Sequence, residues 1–146
     1  MKLNHLNLTV SDVSEARQFL KKYFGLQTID TGEDNSRLAL LRDDDGLVLT
    51  LMNVGGETEV QYPASFHIGF IQETEARVGE INQRLKEDGF DVPPPRRFHG
   101  DWTFYFLAPG GFTIEVLAVT RQSKSPFTDS DVRYPTIAEQ FKAEGV

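Results

Sequence analysis

Apolar and polar positions alternate along most of the chain, and a helical spacing interrupts that alternation twice. "LNHLNLTV" (3–10) has period two, as a strand with one buried face does. In "SDVSEARQFLKKYFG" (11–25), Val13, Ala16, Phe19, Leu20 and Tyr23 fall on one helical face. Asp12 and Glu15 have the spacing of a capping box there, and Gly25 suits the C-terminal stop. "LQTID", "SRLALLR" and "LVLTLMN" then predict three short strands, the last two joined by the turn "DDDG" at 43–46.

The order then repeats. "SFHIGFI" is strand-like, and "ETEARVGEINQRLKEDG" is helical, with Val78, Ile81 and Leu85 inward and Gly89 as its stop. "FDVPPPRRF" predicts a short strand followed by a rigid loop at 93–95. "TFYFLAPGGFTIEVLAV" predicts a hairpin around "APGG". Gly46 answers Gly111 and His5 answers His67, so the chain is an internal duplication of a strand–helix–three-strand unit. One such unit cannot bury its own sheet face, so two must pair. The expectation is an α+β fold of two paired βαβββ modules, with the apolar strand faces covered by the helices. The first module spans 1–53, a polar Gly- and Pro-containing linker 54–64, and the second module 65–119. A tail follows at 120–146, in which "TIAEQFKAEG" places Ile137, Ala138 and Phe141 on one helical side.

Alternation also sorts side chains by face. Leu6, Leu8 and Val10 oppose His5, Asn7 and Thr9. Phe66, Ile68 and Phe70 oppose Ser65, His67 and Gly69. Phe104 and Phe106 oppose Thr103 and Tyr105, and Phe112, Ile114 and Val116 oppose Thr113 and Glu115. A solvated outer face gives the same pattern. These faces, however, hold two His, one Glu, Asn, Tyr, Gly and Thr, and no Lys, which favours a polar cavity.

Composition narrows the chemistry. The net charge of −7 argues against nucleic-acid and anionic-membrane partners, because phosphate binding needs clustered Lys and Arg. With no Cys, thiolate nucleophiles, disulfides and Cys-ligated zinc are excluded. No apolar stretch is long enough for a transmembrane helix, and the expected setting is cytoplasmic. A metal would have to be held by His and carboxylate. His5, His67 and Glu115 sit at related mid-strand positions, and their donors suit Zn, Mn, Fe, Co or Ni while leaving coordination positions open. The plainer reading makes each a hydrogen-bonded or solvated strand residue. In the duplication, Thr50 stands where the second module has Glu115, so three strong ligands are offered rather than four.

"LNHLNLTVSDVSEARQFLKKYFGL" and "GDWTFYFLAPGGFTIEVL" resemble the opening and the closing hairpin of the vicinal oxygen chelate superfamily. It includes glyoxalase I, bleomycin-resistance proteins, extradiol dioxygenases and fosfomycin-resistance thiol transferases. The resemblance covers about residues 1–120. It implies that the paired modules form a cupped mixed sheet with the helices outside and a divalent metal at its centre, held by His5, His67 and Glu115. It also implies a homodimer in which His5 comes from one chain and His67 with Glu115 from the other. Glyoxalase I enzymes carry a fourth ligand where Thr50 stands, which points away from methylglyoxal chemistry. A His-His-Glu triad matches the fosfomycin-resistance and extradiol enzymes, although Asn7 replaces a Thr of the former.

The resulting expectation is a metal-dependent enzyme acting on a small oxygen-bearing substrate: a lyase, isomerase, thiol transferase or ring-cleaving dioxygenase. Tyr105 and His99 are the candidate acid–base groups. Asn7 and Thr50 on the polar face, and Arg96, Arg97 and Trp102 at the rim, are candidate substrate contacts. The alternatives are a non-catalytic small-molecule-binding dimer of the bleomycin-resistance type and a regulatory partner protein.

Overall fold

The structure, a computed structural model, describes residues 1–29 and 35–119. Asp30 at the end of "LQTID" and the whole tail, with its expected helix, lie outside the described residues. In the first module, β1 (His5–Thr9) leads to α1 (Val13–Phe24), followed by β2 (Gln27–Thr28), β3 (Leu38–Arg42) and β4 (Val48–Met52). The helix starts where Asp12, in extended conformation, accepts the Glu15 N–H at 2.8 Å. It ends at Gly25 in the left-handed region (φ 70°), whose N–H donates to the Lys21 carbonyl. All five side chains of its predicted apolar face are buried, and the helix packs on β3 and β4. Each large side chain removed from water in this way contributes roughly 1.5–3 kcal/mol.

The first sheet has the order β1-β4-β3-β2, with β1 and β4 parallel and the other pairs antiparallel. Its register aligns Asn7, Thr50 and Leu40 in one rung and His5, Val48 and Arg42 in the next. These residues share one face. Leu8, Ala39, Leu41, Leu49 and Leu51, all buried, share the other. The turn into β4 is held by Asp43, whose carboxylate accepts the N–H groups of Asp45 and Leu47, while Gly46 takes φ 87°.

The second module repeats the order: β5 (Ile68–Ile71), α2 (Glu75–Glu87), β6 (Arg96–Phe98), β7 (Asp101–Ala108) and β8 (Phe112–Val119), with sheet order β5-β8-β7-β6. Thr74 caps α2 by accepting the Arg77 N–H. Gly89 at φ 89° lets the chain turn back, so that the Phe90 N–H reaches the Leu85 carbonyl. Val78, Ile81 and Leu85 are buried as the periodicity predicts. The short strand expected in "FDVPPPRRF" falls after the prolines rather than before them. Pro93, Pro94 and Pro95 have no N–H to give a ladder, so pairing begins at Arg96. The buried Asn82 side chain fixes the preceding loop by donating to the Pro93 carbonyl at 2.8 Å.

The chain divides into two compact units, which do not coincide with the sequence modules. Among the described residues, one takes in Met1–Tyr62 together with Leu107–Ile114, and the other Pro63–Phe106 together with 115–119. The tip of the β7–β8 hairpin therefore belongs with the first module. The Ser11 N–H donates to the Gly110 carbonyl at 3.0 Å, and a Cβ on Gly110 (φ 103°) would stand 3.0 Å from that of Val10. Both the close approach and the backbone angle demand glycine there.

Candidate metal centre and its aromatic wall

The second unit brings together a set of polar side chains on one sheet face. Glu115, at mid-strand on β8, is flanked by the buried Ile114 and Val116 and turns the other way. Its side chain is 14% exposed, and that of His67, immediately before β5, is 29% exposed. His67 Nε2 and Glu115 Oε2 are 3.4 Å apart. The other ring nitrogen, Nδ1, lies 3.1 Å from the Ser65 carbonyl oxygen. A carbonyl only accepts, so Nδ1 carries a proton. In the neutral ring, Nε2 then presents its lone pair to the carboxylate.

Thr103 on β7, fully buried at 0% exposure, holds the other carboxylate oxygen. Its hydroxyl proton has two acceptors within reach, Glu115 Oε1 at 2.9 Å and the Val116 carbonyl at 3.0 Å. The Tyr105 ring meets His67 edge to face, with centroids 5.4 Å apart, and Phe98 meets Tyr105 similarly at 6.3 Å. His67, Tyr105 and Phe98 thus form a continuous aromatic wall.

β6 and β7 form a tight hairpin that closes the other end of this face. Phe98 pairs with Asp101, and the two residues between them, His99 (φ 50°) and Gly100 (φ 88°), both take positive φ, as a type I′ turn requires. The sequence alone predicts a rim loop over this stretch, and the structure makes it a hairpin. His99 packs on Phe98 with centroids 4.0 Å apart. Burial pushes the Asp101 carboxyl above its ordinary value. The Glu115 carboxylate pushes it the same way, and His99 partly offsets both. Asp101 is thus electrostatically part of this face, and sequence reasoning missed it. The signal was the His-Gly turn: had it been read as a hairpin, alternation would have aligned Asp101 with Thr103 and Tyr105.

The remaining candidates are placed as follows. His5 lies on β1 in the first unit, exposed, with Nδ1 3.1 Å from the Asn4 side-chain oxygen. Asn7 and Thr50 are register partners on the same face of that sheet, Asn7 exposed and Thr50 only 7% exposed. Arg97 pairs with Trp102 across the β6–β7 ladder, on the face opposite Thr103. Its guanidinium lies 5.2 Å from the Trp102 ring centroid and 2.7 Å from a carboxylate oxygen of Glu75 on α2. The structure therefore separates Arg97 and Trp102 from the face that carries Glu115. Arg96, the partner of Thr103, is on that face. Among the described residues no group of three His, Asp or Glu side chains comes together, so His67 and Glu115 form a pair of donors rather than a complete cage.

With Nδ1 against a carbonyl, a neutral His67 ring turns the Nε2 lone pair toward the Glu115 carboxylate, an arrangement suited to a shared cation. Charge-assisted N–H···O bonds close to about 2.7–2.9 Å, which is shorter than the separation found. Two ligands each about 2.1 Å from one ion at a tetrahedral angle stand about 3.4 Å apart. The pair, with its proton-bearing Nδ1 anchored on a carbonyl and its carboxylate anchored on a hydroxyl, matches the way metal-ligating side chains are oriented.

The comparisons with known proteins agree with this architecture. No protein of curated function matches the chain. Among solved structures, that of a possible glyoxalase from Bacillus cereus is 57% identical, with a TM-score of 0.72, covering 80% of this chain and 98% of that one. The fosfomycin resistance protein FosX from Listeria monocytogenes is 26% identical (TM-score 0.65, 82% and 92% covered). A mutant of it in complex with Mn(II) and dihydroxypropylphosphonic acid is 25% identical (TM-score 0.66, 82% and 93% covered). Lactoylglutathione lyase from Agrobacterium tumefaciens, at 19% identity and a TM-score of 0.63, shares the fold, with 80% and 92% covered. The family model for the glyoxalase/bleomycin resistance protein/dioxygenase superfamily matches residues 2–116, which takes in the first βαβββ module and the second as far as the middle of β8, and the chain belongs to this superfamily.

Proposed function

We propose that this protein is a divalent-metal-dependent enzyme acting on a small oxygen-bearing substrate, with His67 and Glu115 as two ligands of the metal and His5 of a second copy as the third. The observation that carries the reading is the 3.4 Å approach of His67 Nε2 to Glu115 Oε2, with the other ring nitrogen committed to the Ser65 carbonyl. The complex of a FosX mutant with Mn(II) and a vicinal diol phosphonate supports it. A divalent ion held by these residues would supply Lewis acidity toward a substrate oxygen. Thr103 keeps the Glu115 carboxylate turned toward His67. Tyr105, against His67, donates a hydrogen bond to the substrate, and His99, beside Asp101, holds or releases a proton at the edge of the site. Phe98 and Tyr105 keep water from one side.

Elemental analysis of protein purified without chelator tests this reading. About one divalent metal per chain is expected, lost in His67→Ala and Glu115→Gln while both variants stay folded. A metal-free wild type that still binds small aromatic ligands would favour the non-catalytic binding module. A panel of thiol, catechol and epoxide substrates then assigns the reaction.

A further inference from the structure

We infer that Gly69 determines specificity at this site by leaving room beside the metal for an aliphatic group of the substrate; the inference rests on the metal reading above and adds the substrate class. Among the described residues, Gly69 is the one glycine inside a strand. Glycine weakens a strand, and where it is kept it often marks a close approach by a ligand or another backbone. Backbone conformation does not require it here, because the φ of Gly69 lies outside the left-handed region. Packing does not require it either. A Cβ on Gly69 would stand 3.5 Å from Leu117 Cδ2 and 3.8 Å from Glu115 Oε2, both ordinary contact distances. The strand would accept alanine, and glycine leaves a gap in its place.

That gap borders the oxygen through which Glu115 faces His67. In the sheet, β8 lies between β5 and β7. Thr103, on the β7 side, holds Oε1, whereas Oε2 has His67 Nε2 and the gap at Gly69 beside it on the β5 side. The other wall of the gap is a methyl group of Leu117. Further along the same face, alternation places Ile71 on β5 and Val119 on β8, 66% and 50% exposed. Neither β5 nor the part of β8 after Glu115 carries a charged side chain. Gly69, Leu117, Ile71 and Val119 thus form an apolar track that begins at Glu115 Oε2. A charged group laid along it would lose water and gain no partner, whereas an aliphatic chain gains by leaving water. A substrate with two chelating oxygens at one end and a short aliphatic chain at the other fits this order of groups.

The test uses the full chain loaded with Mn(II), titrated by calorimetry with acetohydroxamate and with hexanohydroxamate. These share one chelating head and differ by four methylenes. A fully buried methylene is worth about 4-fold in affinity, so partial cover of four predicts that wild type binds the longer ligand about 10-fold or more tightly. Gly69→Ala is expected to keep its Mn(II), to melt at or above the wild-type temperature, and to bind hexanohydroxamate more weakly. Gly69→Val and Leu117→Ser are expected to remove the chain-length preference. A purely structural role for Gly69 predicts the reverse for Gly69→Ala, a lower melting temperature with the preference intact, and that result overturns the proposal. Equal affinity for the two ligands in wild type also overturns it, and is the outcome expected if a second copy or the chain beyond Val119 covers the track. Loss of Mn(II) from Gly69→Ala overturns it as well, since the residue would then act on the metal ligands. Failure of wild type to take up Mn(II) overturns this proposal and the metal reading together, whereas uptake without a chain-length preference overturns this one alone.

Discussion

Thr103 links the hydrophobic interior of the second unit to its chemistry. It is fully buried, yet its hydroxyl reaches the Glu115 carboxylate and holds one oxygen so that the other faces His67. Valine has nearly the same shape and no proton to donate. Thr103→Val should therefore lower metal affinity about 10-fold, the lower end of the range for groups that orient a ligand. It should cost about 1 kcal/mol of stability for the lost hydrogen bond. Metal titration read beside denaturant unfolding separates the two effects, and unchanged metal affinity would remove Thr103 from the site. Asp101 makes a different prediction. In chelator-treated protein its folded-state pKa is raised by burial and by Glu115. The folded chain then holds this proton more tightly than the unfolded chain does. Stability therefore falls as pH rises from the ordinary Asp value of 3.8 through the raised one, and stays lower above it. Asp101→Asn abolishes that loss. The variant should melt above wild type at neutral pH, and the gap should close as the pH is taken below 3.8.

At the scale of elements, the β6–β7 hairpin shows where the sequence was legible and where it was not. The long helices and the alternating strands could be read because burial imposes a period, and Val13 to Tyr23 or Phe112 to Val116 repeat it several times. The mid-strand position of Glu115 followed from the same alternation, whereas His67, expected at mid-strand, stands immediately before β5. The three-residue strand Arg96–Phe98 is too short to show a period, and its turn, His-Gly, lacks the Asn-Gly or Asp-Gly signature. With the hairpin unread, Arg96 and Arg97 could not be assigned to faces, and Asp101 had no visible partner. His99 in the left-handed region also carries a local cost that Asn would reduce. His99→Asn should stabilise the fold by roughly 0.5–1 kcal/mol. If His99 moves a proton in turnover, the same change should slow the reaction about 100-fold. Thermal melts and single-substrate kinetics on one preparation test both signs, and a variant both stable and fully active removes His99 from the chemistry.

At the scale of the whole molecule, the duplication predicted two βαβββ modules and the structure has them, each with one helix and a four-stranded sheet. The proposed ligands divide unequally between the two units: His67 and Glu115 are in the second and His5 is in the first. If each metal is held by two copies of the chain, mixing His5→Ala with Glu115→Gln gives heterodimers with one intact site and one doubly damaged site. Random pairing should then restore about a quarter of wild-type metal occupancy in a mixture of two metal-poor variants. Metal measured before and after mixing decides the matter, because a site complete within one chain gains nothing.

The assignment of Leu107–Ile114 to the first unit bears on the history of the duplication. A freshly doubled gene yields two interchangeable halves, and cutting between them leaves each half whole. Here the first half carries Val10 and Ala16 against a glycine that the second half encodes, at a spacing that admits no side chain. The first repeat has taken in a part of the second and depends on it. A break introduced in the linker would deprive the first half of its cover, whereas a circular permutant that keeps the hairpin tip continuous with β7 and β8 would preserve both units.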